Sequence, residues 1–215
     1  MKLLSVNVSQ PKSISYRGRS VRTGIYKVPV KGRVMLRRLN LDGDAQGDLS
    51  VHGGPDKAVY VYPFEHYDFW ARELGRDDFE FGQFGENFTV EGMPEEQVHI
   101  GDVFRVGGAL VEVTQPRVPC YKLGIKMGSA RFVKRFLASG RVGFYLRILE
   151  EGEVGAGNTI ECLQLGAEQM TIREIIRLAY FDRENAEGAR KAIRIAALSP
   201  GWREMFEERL ALESP

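Results

Sequence analysis

Val103-Phe104-Arg105-Val106-Gly107-Gly108-Ala109-Leu110-Val111-Glu112-Val113-Thr114-Gln115-Pro116-Arg117-Val118-Pro119-Cys120 carries the fold class and the first chemical group together. Two runs rich in β-branched and aromatic residues flank Gly107-Gly108, a two-residue hairpin signal. Beyond the second run, two prolines fix φ and remove backbone donors. Each also pushes the residue before it toward extended geometry, so Val118 is not expected in a helix. The spacing predicts Cys120 held rigidly at the end of a strand, with Arg117, Lys122 and Lys126 close in sequence. Nearby cations favour the thiolate, which is the nucleophile and the metal ligand. A free cysteine is also a common small core residue. Cys162, within the strand-like stretch 159–165, fits that structural role.

Outward from the hairpin, strand composition recurs at residues 3–8, 22–30, 34–39, 58–62, 144–149 and 159–163. Many short strands with glycine-rich turns indicate a mainly β chain, a barrel or a sandwich. Two helices interrupt it. Residues 64–74 place Phe64, Tyr67, Trp70, Ala71 and Leu74 at helical spacing, a core stripe. Residues 129–137 place Ala130, Phe132, Val133, Phe136 and Leu137 inward, with Ser129 as cap and Gly140 as stop. Composition changes near Gly166. Residues 170–180, 185–197 and 202–210 read as three short amphipathic helices, the last two separated by Pro200. The chain thus divides into a β domain, 1–164, and a three-helix extension, 165–215.

The 215 residues carry a net charge of +1 and are 43% hydrophobic, enough for a substantial core. No apolar run is long enough to span a bilayer, and the first residues lack a signal-peptide core. A cytoplasmic location is expected, and two cysteines make no disulfide framework. The helical extension resembles a DNA reader in outline, but it holds eight Lys or Arg against nine Asp or Glu. That balance argues against direct nucleic-acid binding, which needs phosphate-neutralising charge. By contrast, residues 1–40 hold ten Lys or Arg and no acid, a potential anion-attracting surface.

Asp42, Asp44 and Asp48 alternate like the start of a calcium loop, but the stretch lacks the closing glutamate. Turn formation, or pairing with the basic segment, is the expected role of these acids. His52-Gly53-Gly54-Pro55 follows. Its glycines allow positive φ and close approach of backbone to a ligand, backbone N–H groups in such turns can cradle anions, and His52 can move a proton near neutral pH. His66 and His99 are read as structural or solvated. No zinc spacing, Walker motif, dinucleotide fingerprint or nucleophile elbow is present in the sequence.

Taken in order, several motifs resemble MOSC-domain proteins, and within them the YiiM-like 6-N-hydroxylaminopurine resistance subgroup. They are Gly43-Asp44-x-Gln46, Val51-His52-Gly53-Gly54-Pro55-Asp56-Lys57-Ala58, Tyr62-Pro63-x-Glu65-His66-Tyr67, Phe84-Gly85-Glu86-Asn87-Phe88, Gly101-Asp102 and Gln115-Pro116-Arg117-x-Pro119-Cys120-Tyr121-Lys122-Leu123. The resemblance covers residues 1 to about 164, and the tail is similar to that subgroup's three-helix extension. It implies a β-barrel domain holding molybdenum cofactor (molybdopterin), with Cys120 as the sulfur ligand to the metal. It implies His52 and Arg117 as catalytic partners of Cys120. Arg22, Lys27, Gly53, Gly54 and Asn87 are the implied cofactor-binding positions. Arg22 and Lys27 would face opposite sides of a regular strand.

The implied chemistry is reduction of an N-hydroxylated base to an amine and water, with His52 as proton donor. The electrons would come from an external flavoprotein reductase, since one cysteine cannot hold an iron–sulfur cluster. Two alternatives stay open. Cys120 could carry sulfur or cofactor without redox turnover, or the domain could be a degenerate interaction module.

Overall fold

The expected hairpin lies near one end of the main sheet in a computed structural model that describes residues 1–47 and 53–212. The strands are β1 (Lys2–Val8), β2 (Lys12–Tyr16), β3 (Arg19–Thr23), β4 (Val28–Pro29), β5 (Arg33–Leu36) and β6 (Val59–Pro63). They continue with β7 (Phe88–Glu91), β8 (Val103–Val106), β9 (Ala109–Pro116), β10 (Phe144–Glu150), β11 (Gly152–Gly155) and β12 (Ile160–Gln164). Eight of them make one sheet in the order β12-β8-β9-β10-β6-β7-β1-β4. Every pairing in it is antiparallel except β6 with β7.

The sheet curls. Lys2 and Thr159 form a bridge between its two ends, and the Ile160 amide donates to the Met1 carbonyl at 3.0 Å. The expected barrel is therefore a curled sheet whose ends meet at this bridge, without a continuous closing ladder among the described residues. Val61, Phe88, Val111, Leu146 and Ile160 converge inside it. The period of two is visible in β9, where Ala109, Val111 and Val113 are fully buried.

Two helices cover one side, α1 (Glu65–Leu74) and α3 (Ala130–Ser139). Between β9 and α3 lies a shorter one, α2 (Tyr121–Lys126). Trp70 from α1 meets Phe132 and Phe136 from α3 and Tyr67 packs on Phe84, while Ala130 is exposed rather than inward. Trp70 lies 4.9 Å from Phe132 and 5.7 Å from Phe136, and Tyr62 lies 4.5 Å from Phe84, centroid to centroid. These contacts make a continuous aromatic layer of the kind that dominates core energetics. Gly140 ends α3 in the left-handed conformation, as its position suggests.

The three expected C-terminal helices are α4 (Ile172–Tyr180), α5 (Ala186–Arg194) and α6 (Pro200–Leu212). Thr171 and Glu174 form a full capping box on α4, and the Asn185 side chain caps α5. Pro200 opens α6 rather than merely preceding it, a first-turn position that needs no N–H. Backbone bonds tie the extension to the sheet domain: Ile172 N to Val98 O at 2.9 Å, Arg173 N to Glu95 O at 3.0 Å, and Ser199 N to Thr114 O at 3.2 Å. No helix among the described residues is long and apolar enough to cross a membrane.

Beyond the unpredicted short strands β7 and β11, the structure departs from expectation along the early strands. The strand predicted over 22–30 breaks after Thr23, because Gly24 passes against the Ala45 carbonyl with no room for a Cβ. The hairpin β2–β3 replaces its first part; its strands are too polar to show alternation, and Arg17 and Gly18 turn at positive φ. The strand predicted over 34–39 stops at Leu36, where Arg37 N donates to Asn40 O at 2.8 Å in a turn.

Candidate functional site

Arg117 occupies the turn that leaves β9. Gly143, immediately before β10, sets its backbone: the Arg117 amide donates to the Gly143 carbonyl at 3.1 Å, and the Gly143 amide donates to Glu95 Oε1 at 2.7 Å. Gly143 has φ +69, and a Cβ there would lie 2.3 Å from the Val61 carbonyl oxygen, so only glycine fits. The guanidinium is 5% exposed, 5.1 Å above the Tyr60 ring and 5.4 Å from the Phe136 ring. Its Nη1 has no hydrogen-bond partner among the described residues. Burial alone would lower its pKa, but the phenols of Tyr60 and Tyr145 and the Cys120 thiol outweigh it and raise the value. The result is a buried, permanently charged group with a donor left over.

Cys120 lines the same cleft as Arg117, together with Lys122 and Tyr145. It stands at the N-cap of α2 with extended backbone, φ −109 and ψ 170, and its carbonyl accepts from Leu123 N at 3.0 Å. The residue is partly exposed. The expectation of a strand end is thus corrected: β9 stops at Pro116, and the cysteine opens a helix. α2 escapes a periodicity search because it is six residues long and contains Gly124, whose missing side chain lets α3 approach. Lys122 is 8% exposed beside the thiol. Lys126 turns away, donating to the Ile25 carbonyl at 3.1 Å and to the Gly82 carbonyl; burial lowers it to about 8. Tyr145, a hydrogen-bond partner of Arg117, is raised by burial and stays protonated at neutral pH.

The opposite wall is a buried polar network. Lys27 Nζ donates to both Asp44 oxygens at 2.6 and 2.7 Å, with side-chain exposures of 9% and 1%. Asn87 Nδ2 donates to Asp44 Oδ2 at 2.9 Å, and Asn87 Oδ1 accepts from Tyr60 N at 3.1 Å. Burial lowers the Lys27 pKa despite Asp44. Behind Asn87, the buried Glu86 carboxyl accepts from Gly82 N and Phe84 N, both at 2.9 Å, and from the Tyr67 and Thr89 hydroxyls. That fixes the loop and therefore Asn87. The pairing expected of the Asp42–Asp48 acids with the basic segment is realised at Lys27–Asp44 and at Arg37–Asp42, 3.0 Å.

Of the residues singled out from sequence, Lys27, Gly53, Asn87, Arg117 and Cys120 all border this cleft. Gly53 and Gly54 have φ +141 and +89, as their composition suggests. Gly54 faces an adjoining groove. Arg22 is exposed on β3 and is not among the cleft residues; the strand break after Thr23 removes the parity that related it to Lys27. His52 lies outside the described residues. His66 is structural: its Nε2 lies 2.6 Å from Glu95, the residue that holds Gly143. His99 Nδ1 lies 3.3 Å from Asp102. Lys122 borders the cleft as the cation expected near Cys120, and Lys57 joins it from its motif, whereas Tyr60 and Tyr145 were not singled out. Tyr60 and Tyr145 alternate with core residues on ordinary strands and carry no motif.

The MOSC domain family matches residues 48–161, and the YiiM-like 3-alpha helix domain matches residues 170–212. The chain belongs to the MOSC family. It is 45% identical over 207 residues to the Bacillus subtilis protein YflK, covering 96% of this chain and 93% of that one. The crystal structure of YiiM from Geobacillus stearothermophilus superposes with a TM-score of 0.83 at 35% identity, covering 97% and 98% of the two chains. A Gibberella moniliformis protein named Reductase is 33% identical over 179 residues, which cover 82% of this MOSC chain but 32% of that longer one.

MOSC proteins are generally associated with molybdenum cofactor, and the residues present fit such a group. The cleft offers a soft sulfur donor at Cys120, the class of ligand that thiophilic metals take. It also offers the unsatisfied Nη1 of Arg117, which suits an anionic oxygen.

Proposed function

We propose that the protein is a molybdenum-cofactor-dependent reductase of N-hydroxylated bases and related N-hydroxylated compounds, acting in detoxification. The observation that carries this is the partly exposed Cys120 sharing one cleft with the buried Arg117 guanidinium, whose Nη1 has no hydrogen-bond partner among the described residues.

Cys120 would hold the metal through sulfur. Arg117 and the backbone at Gly53 would hold anionic oxygens, with Lys122 adding positive charge. Lys27 and Asn87 shape the wall while their polar atoms are engaged with Asp44. The reaction is RNHOH + 2e⁻ + 2H⁺ → RNH₂ + H₂O. When bound, the cofactor supplies a two-electron reducing centre. The chain supplies orientation and protons. His52 is the proposed donor to the leaving oxygen, and the Arg117–Tyr145 pair provides a second protonated group at the cleft. An external flavoprotein reductase is the proposed electron source. The fungal relative's name, Reductase, and its much greater length support a domain of this type working with additional protein. A cytoplasmic setting, without membrane or nucleic-acid partners, completes the proposal.

The test is molybdenum and pterin per chain in wild type and Cys120→Ala, purified from a host rich in molybdenum cofactor. Loading in the wild type alone, with two-electron reduction of a hydroxylaminopurine by a supplied flavoprotein reductase, is expected. A labile persulfide on Cys120 without molybdenum would instead establish the sulfur-carrier role.

A further inference from the structure

Beside the cleft lies a groove of ≈ 410 Å³ between the Gly53-Gly54-Pro55 turn and the start of α6. That volume falls within the range of small-molecule sites. Gly53, Lys57 and Val118 border both cleft and groove, so the two adjoin. The far wall of the groove is apolar: Tyr180 on α4, then Pro200, Trp202 and Met205 on α6. Trp202 is 8% exposed and packs edge-on to Tyr180 at 6.4 Å. The sheet domain contributes Gln115, two residues before Arg117.

Gln115 is 4% exposed, and its side-chain amide makes no hydrogen bond to protein among the described residues. Its polar atoms are not among the fully buried, unpartnered ones, so the amide reaches the groove with its hydrogen-bonding capacity free. An amide presents a donor and an acceptor side by side, the pattern that matches the edge of a heteroaromatic base.

We infer that this groove is the base subsite of the proposed reductase, with Gln115 reading the edge of the ring and the α6 wall covering its face. The inference rests on the proposed function for the direction of chemistry. A flat ring in the groove can place an exocyclic N–O group toward the cleft through the junction at Gly53, Lys57 and Val118. The three-helix extension then has a role in substrate choice: it supplies one side of a site whose reacting end belongs to the sheet domain.

Adenine, the amine product of a hydroxylaminopurine, is the binding probe. Its affinity for the purified full chain is measured by calorimetry, with and without loaded cofactor. Gln115→Leu keeps the shape and removes the amide; it is expected to weaken adenine binding about 5- to 150-fold, the range of one lost amide–base pair. Met205→Arg, which fills the groove from the exposed side of α6, is expected to abolish it. In the loaded enzyme, Gln115→Leu should raise KM for a hydroxylaminopurine more than KM for ring-free hydroxylamine. Equal adenine affinity in wild type and both variants overturns the subsite. Adenine binding that disappears when the cofactor is loaded also overturns it, assigning the groove to the cofactor. A protein that takes no molybdenum but binds adenine through Gln115 refutes the reductase proposal and leaves the base subsite standing.

Discussion

Asp44→Asn tests whether the wall of the cleft is held by charge. The carboxylate accepts from Lys27 Nζ on both oxygens, from Ser9 N at 2.8 Å and from Asn87 Nδ2 at 2.9 Å. Every one of these neighbours is a donor. Asparagine keeps the shape but turns one acceptor into an NH₂ group, so in either orientation a donor faces a donor. Lys27, with a side chain only 9% exposed, also loses its counter-charge. Removing one partner of a buried ion pair costs about 3–5 kcal/mol, against a total stability of about 5–15 kcal/mol for an ordinary domain. Urea unfolding at pH 7 should show a lower midpoint with an unchanged slope. The pH dependence gives a second, independent readout. Burial already lowers the Lys27 pKa, and losing Asp44 lowers it further. Between that lowered value and the unfolded lysine value the unfolded state binds more protons, so stability rises with pH there. The deficit of the variant should therefore shrink from pH 7 toward pH 10. A deficit below about 1 kcal/mol at pH 7, or one that does not change with pH, would refute an electrostatic role for the pair.

Two further outcomes are expected. Gly143→Ala should destabilise by at least the about 1–2 kcal/mol that a left-handed backbone costs a non-glycine residue, and it should lower cofactor loading by displacing Arg117, whose amide it anchors; chemical unfolding and metal analysis read the two effects separately. Lys126 titrates at about 8 in the fold against 10.5 ordinarily, so its contribution to stability is complete above 10.5 and is lost as pH falls to about 8; Lys126→Met should remove that rise from a series of unfolding measurements at pH 7.5 to 10.

The sheet was legible wherever alternation was strong. The Gly107-Gly108 hairpin, β10 and the buried stripe of α1 lie within a few residues of expectation, because one buried face fixes both type and register. The β2–β3 hairpin was not legible, since its residues are mostly exposed and no core face imposes a period. α2 was hidden by its brevity. In the site, Cys120 and Arg117 stood out because prolines and charge mark them locally. Asp44 could be seen as an acid seeking a base, but not as the centre of a network reaching Ser9 and Asn87. Tyr60 and Tyr145 left no trace and Gln115 showed only as part of a motif, because their roles arise from strands that meet only in three dimensions.

The parallel pairing of β6 with β7 has a consequence for how the protein comes to be built. The two strands are joined by a crossover that includes α1, and Tyr60 and Asn87 sit at its opposite ends, joined by Asn87 N to Tyr60 O at 2.8 Å. Hairpins such as β8–β9 need only a short loop to close. The crossover must first span its whole length, and such non-local pairings form slowly because loop closure precedes any gain from contact. β1 with β7 and β5 with β11 pair across still longer stretches of chain. Lys27, Asn87 and Cys120, which line one cleft, are therefore brought together by distant pairings rather than by any local hairpin, and the pocket is a product of the whole sheet.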